Sequence, residues 1–177
     1  MLWRTGLQAC LGAIALTLCA PAIGETTDVA VKAAFLPRFA RYVTWPAGAT
    51  PKGGDPFVLC VIGSDPFGSM LDQAAASQVI DGRRIIVRRL DSAAGANVCQ
   101  VAFVDGSRSE PAGQLIAALG HAPVLTVTDA ANGGQRGIIH FAVVNGRVRF
   151  FIDQQAAAQR GLTISSRLLA LALGVKQ

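Results

Sequence analysis

The plainest feature of the hydrophobic pattern is a nearly unbroken apolar run, Phe57 to Gly63 (FVLCVIG). A short run without polar alternation suits a strand buried on both faces. Three more segments have strand character: Arg84 to Leu90 (RIIVRRL), Cys99 to Asp105 (CQVAFVD) and Pro123 to Asp129 (PVLTVTD). Between them, Gly63-Ser64-Asp65-Pro66 turns into a short helix over Phe67 to Ser77, with Asp65 as its cap and Pro66 at the first helical position. Asp81-Gly82 marks a turn, and a further helix opens at Ser109 or Glu110 and runs to Gly120. Upstream, Val29, Ala33, Leu36, Phe39, Ala40 and Val43 fall on one helical face. They predict a helix capped at Thr26-Thr27-Asp28 and running to Thr44. Pro37 removes a backbone donor, so a kink or split is expected near Ala33 to Leu36. Trp45-Pro46 ends the helix and a Gly/Pro-rich loop, Ala47 to Asp55, follows.

This alternation predicts an α/β fold with a mainly parallel sheet of the doubly wound type. In a 2-1-3-4 order the first and third strands are neighbours. The end of the chain changes character. Gly137 to Val144 and Arg147 to Asp153 are strands joined by Asn145-Gly146, a strong hairpin signal because both central residues of a type I′ turn need positive φ. The hairpin is expected to complete the sheet as an antiparallel edge. Gln154 to Arg160 is a short helix stopped by Gly161. Ser165 or Ser166 caps a last helix, Arg167 to Leu173.

Composition changes this picture at the start of the chain. Of 177 residues, half are apolar and 15% charged, which is globular rather than disordered. Residues 1–24 read as a secretory leader: Arg4, then an apolar run from Leu7 to Ala20, then Ala22-Ile23-Gly24 before a cleavage at Glu25. The run is shorter than the roughly 20 residues a membrane helix needs. An uncleaved anchor is the alternative. A lipoprotein fits less well, because Leu18 precedes Cys19 where a small residue is expected. Residues 25–177 are then one exported, periplasmic domain. Cys10 and Cys19 leave with the leader, so Cys60 and Cys99 remain. An even pair in an exported chain favours a disulfide, against two buried free thiols. The net charge of +5 is too small and scattered to argue for nucleic acid.

The search for chemistry is mostly negative. Neither His121 nor His140 belongs to a nucleophile–base or metal motif, and no phosphate-binding loop is present. No metal, cofactor or catalytic residue is expected. Asp65, Asp105 and Asp129 each follow an apolar strand, and strand C-termini gather along one edge of an open parallel sheet. With Ser64 they define a candidate small-ligand crevice; the competing reading is that each acid makes a helix cap or Asx-turn. Phe150 and Phe151 are adjacent on a strand, so their rings point to opposite faces. One of them faces away from the core unless something covers it, which hints at a partner surface.

Four segments in order carry a resemblance. They are Val31-Lys32-Ala33-Ala34-Phe35-Leu36 through Phe39-Ala40-Arg41-Tyr42-Val43 to Trp45-Pro46; Phe57 to Gly63 with Pro66-Phe67-Gly68; Pro123 to Val127; and Val148-Arg149-Phe150 followed by Ala156-Ala157 and Arg160 to Leu169. Together they resemble the YfiR family of periplasmic regulators. The resemblance implies a regulator, not an enzyme, that binds the periplasmic sensor domain of an inner-membrane diguanylate cyclase and holds down cyclic di-GMP and biofilm growth. Homodimer formation is the other association it leaves open. Cys60 and Cys99 match one family disulfide, while the second pair of some members is absent. The resemblance places partner contacts after the last strand, within Phe151 to Ala158, on Phe151, Ile152 and Ala156. These residues differ from the acidic and polar types expected there. The rival reading is a small-ligand receptor using the crevice at Ser64, Asp65, Asp105 and Asp129.

Overall fold

The computed structural model describes residues 23–107 and 110–177. The leader reading falls almost wholly on residues outside these. Helix α1 (Ile23–Phe39) passes into a 3-10 turn (Ala40–Tyr42) and a short strand, β1 (Val43–Thr44). Strand β2 (Phe57–Ile62) leads to α2 (Ser69–Ala76), then to β3 (Val79–Ile80) and β4 (Arg83–Leu90). A 3-10 turn (Ala96–Val98) precedes β5 (Val101–Val104), and α3 (Ala112–Ala118) precedes β6 (Leu125–Asp129). The hairpin β7 (Ile139–Val144) and β8 (Arg147–Asp153) leads to α4 (Gln154–Gln159), β9 (Thr163–Ile164), α5 (Ser166–Leu169) and β10 (Gly174–Lys176).

The main sheet runs β10-β8-β7-β6-β5-β2-β4-β3. Strands β4, β2, β5 and β6 stand in the expected 2-1-3-4 order and are parallel, and β7 joins β6 in parallel. The turn residues Asn145 and Gly146 both have positive φ, and β8 returns antiparallel to β7.

The apolar run of β2 is divided by the strand's two-residue period. Phe57, Leu59 and Val61 join one core with Leu36 and Phe39 of α1 and Leu71 of α2. Val58, Cys60 and Ile62 join a second core with Leu115 of α3. The two faces thus have different covers. Gly63 ends β2 at φ +89°, and a Cβ there would meet the Asp105 carbonyl oxygen at 1.9 Å, so only glycine lets these loops approach.

Several local expectations are corrected. Helix α1 begins before Thr26-Thr27-Asp28, so these residues lie inside it rather than capping it; their weak propensities cost only tenths of a kcal/mol, about 0.5 or less each, in a helix already started. Pro37 does not split α1. It sits in the last turn, where little helix remains to be lost, and Leu36 and Phe39 are buried on either side. Asp65 does not cap α2, whose N-cap is Gly68. Instead its Oδ1 accepts from the Phe67 and Gly68 N–H groups at 2.8 and 3.2 Å, which holds Pro66 outside the helix. The last helix is shorter than expected. After α5 the chain turns extended as β10, and Leu173 N–H donates to the Phe150 carbonyl at 2.8 Å. The hairpin is therefore next to the edge, not the edge itself.

Candidate functional site

The face of the sheet opposite α1 is covered by α3 and the 3-10 turn over β4, β2 and β5. Beyond β5 its residues change type: Thr126 and Thr128 on β6, His140 on β7 and Phe151 on β8. The cause is the connection from β6 to β7. Parallel neighbours normally require a crossover of a dozen or more residues. Here residues 130–138 make it, with one 3-10 turn (Ala130–Asn132), which is too little chain for a covering helix. The strap lies on the sheet and the threonine hydroxyls hold it. Gly137 N–H donates to Thr128 Oγ1 at 2.8 Å and Ile138 N–H to Thr126 Oγ1 at 3.0 Å. A Cβ at Gly137 would lie 2.8 Å from the Thr126 carbonyl oxygen, so glycine is what permits this approach.

Arg136 on the strap places its guanidinium 5.2 Å from the centre of the Phe151 ring. Phe150, by contrast, packs edge-on against Phe39 with ring centres 5.2 Å apart. The two adjacent phenylalanines do point opposite ways, and Phe151 is the one outside the main core. It lines a groove of about 250 Å³ with Arg136, His140, Asp153, Gly174 and Lys176. Of the residues assigned to partner contact, Phe151 and Ala156 are half-buried, whereas Ile152 is 2% exposed and belongs to the core. Asp153 joins this segment to its surroundings. Its Oδ1 accepts from the Ala156 N–H at 2.8 Å, capping α4, and its Oδ2 meets Lys176 Nζ at 2.8 Å. Burial works against its ionisation, but Lys176 and the Ala156 N–H together hold the carboxyl below the usual range.

His140 is buried and bonded to Thr128 Oγ1 through Nδ1 at 2.8 Å. The threonine oxygen already accepts from Gly137, which leaves its own hydrogen for Nδ1 and fits a neutral ring with its proton on Nε2. Burial, and secondarily Arg136, push the His140 pKa down against the pull of Asp129. A folded-state pKa below the unfolded value means stability is complete above the ordinary histidine range and declines as pH falls through it. Melting curves from pH 7 to 5 are expected to show a fall that is smaller in His140→Gln. Equal falls in both proteins would contradict this.

The crevice residues are only partly brought together: Asp105 and Asp129 lie near each other, while Ser64 and Asp65 turn to other partners. Ser64 lines a shallow opening with Gly63, Asp91 and Ser107, and its hydroxyl donates to the Gly106 carbonyl at 3.0 Å. Asp65 turns toward Arg89, which it meets at 2.7 Å and which also holds Asp72. Asp129 forms a buried ion pair with Lys32 of α1 at 2.5 Å, the two side chains 7% and 6% exposed. Asp105 is buried nearby; burial first, and then the Asp129 charge, raise its pKa. Among the described residues no group of His, Cys, Asp and Glu is arranged to hold a metal ion. Lys32, Arg136 and the threonine pair were not singled out by sequence reasoning. A lone lysine on an amphipathic helix and two threonines in an apolar strand carry no local signal of what they meet.

Cys60 and Cys99 form a disulfide with Cα atoms 5.9 Å apart. Cys60 lies on β2 and Cys99 precedes β5, so the bridge joins neighbouring strands on the α3 side. Among the described residues no helix is long and apolar enough to cross a membrane. The YfiR/HmsC-like family profile matches residues 29–173, from α1 to the residue before β10. No curated protein matches the chain.

Proposed function

Since the chain belongs to the YfiR/HmsC-like family, whose members regulate diguanylate cyclases, we propose that it represses an inner-membrane diguanylate cyclase by binding the cyclase's periplasmic sensor domain. The observation that carries this reading is the family match over residues 29–173. The half-covered sheet face around Phe151, whose ring lines a groove with Arg136 and Lys176, supports it as a surface for such contact. The chain is exported by residues 1–24 and works in the periplasm; a disulfide between Cys60 and Cys99 is at home there. Binding favours one state of the cyclase, and the strength of control equals the difference in affinity between the two states. The strand-end crevice supports a receptor role less well, since Asp65 and Asp129 already have cationic partners within the chain.

Deletion of the gene is expected to raise cellular cyclic di-GMP, and supplying the full chain with its leader should restore the original level. The nucleotide is measured by mass spectrometry of cell extracts. An unchanged level in the deletion strain would refute repression.

A further inference from the structure

Contrary to the scattered distribution expected above, the net charge is concentrated toward the C-terminal end of the chain. Residues 1–129 hold ten bases and ten acids, so the whole net charge of +5 lies in residues 130–177, where six bases face Asp153 alone. Three of those bases share one place. Arg147 and Arg149 are exposed and alternate along β8 with Phe151, so all three side chains leave the same face. Arg136 stands over Phe151 from the strap. Among the described residues none of these three arginines pairs with a carboxylate, whereas Arg89 and Lys176 do.

The same half of β8 has an open edge. Strand β10 pairs only with Phe151, Ile152 and Asp153. The Phe150 carbonyl points to that side, since it accepts from Leu173 N–H. Backbone alternation then turns the N–H and C=O of Val148 the same way, beyond the reach of β10. We infer that the Arg147–Arg149–Arg136 row and the adjoining β8 edge dock an extended, acidic segment of the partner protein. This rests on the reading of the chain as a partner-binding regulator and adds the chemistry of what it binds. Acids at every second position of an extended segment repeat at about 6.6 Å, the spacing of Arg147 and Arg149. Its backbone fills the edge, as in strand addition. An anionic membrane surface would satisfy the charges but has no backbone for the edge.

The test uses the full processed chain and the periplasmic domain of the cyclase whose output rises on deletion. Titration at low and moderate salt is expected to show affinity that falls with salt. Arg147→Glu with Arg149→Glu should weaken binding by at least about tenfold, and the Gln pair at the same positions by less. Both side chains are exposed, so melting curves should match the wild type; the Gln pair keeps the test alive if the Glu pair does not fold. Wild-type affinity in both variants would overturn the inference while leaving the function reading intact. No binding by the wild type would overturn the function reading and this inference with it. Loss of binding to phosphatidylglycerol vesicles in the variants, with cyclase binding unchanged, would assign the row to the membrane and also overturn it.

Discussion

Removing the Cys60–Cys99 bridge is expected to cost about 4 kcal/mol, from the chain entropy of a closed loop of that length. The cysteines are 39 residues apart in sequence, so the bridge deletes many open conformations from the unfolded chain. It is also well placed structurally. Cys60 and Cys99 are 0% and 3% exposed in the α3-side core, beside Val58, Ile62 and Leu115. Urea denaturation of Cys60→Ala with Cys99→Ala should shift the midpoint well below that of the oxidised protein, and the small cavities left behind add to the loss. In the native state a reductant has to wait for the strands to open, so unfolding in urea should precede reduction. Superimposable curves for oxidised and reduced protein would remove the claim.

Lys32→Ala is expected to lower stability by about 3–5 kcal/mol, the usual cost of leaving a buried charge without its partner. Lys32 and Asp129 are both more than nine-tenths buried, and Asp105 stands close by with its own pKa raised by burial and by Asp129. Without the amine, two carboxylates share a dry strand end. Lys32→Met combined with Asp129→Leu should recover most of the loss, because an apolar pair of similar volume carries no desolvation cost. The pH dependence has a definite sign. The Asp105 pKa is raised in the fold, so the cost of its ionised form is complete above that pKa and disappears as pH falls through it. In Lys32→Ala the same protonation relieves the repulsion, so the deficit against wild type should narrow on acidification. A deficit that stays constant from pH 7 to 4 would show that Lys32 acts through its aliphatic stem instead.

The parts of the fold that were legible in the sequence are those set by short-range physics. The two-sided apolar run of β2, the Asn145-Gly146 turn and the Ser165 cap each announce themselves within a few residues, and each is in place. Strand order followed from the alternation of elements. What could not be read depends on distant partners. Asp65 looked like a helix cap because Arg89, 24 residues on, is invisible to local reading. Residues 170–173 looked helical because leucine and alanine favour helix, yet α5 stops at Leu169 and Leu173 N–H donates to the Phe150 carbonyl, which leads the chain onto the free edge of β8 as β10. The candidate site divides in the same way. The opposed rings of Phe150 and Phe151 follow from strand periodicity, but Ile152 belongs to the core by that same periodicity and offers little to a partner. The strap that covers His140 was unreadable because a nine-residue connection carries no pattern.

Helix α1 packs on strands from far along the chain: Phe39 meets Phe141 and Phe150 with ring centres 5.6 and 5.2 Å apart. Part of its docking surface therefore does not exist until the hairpin has formed, more than a hundred positions later in synthesis, although α2 and β2 supply the rest early. Contacts of such high sequence separation slow the search for the native state. The helix can dock on α2 and β2 early, but its aromatic side should be among the last parts to settle, and early intermediates should leave Phe35 and Phe39 without their hairpin partners.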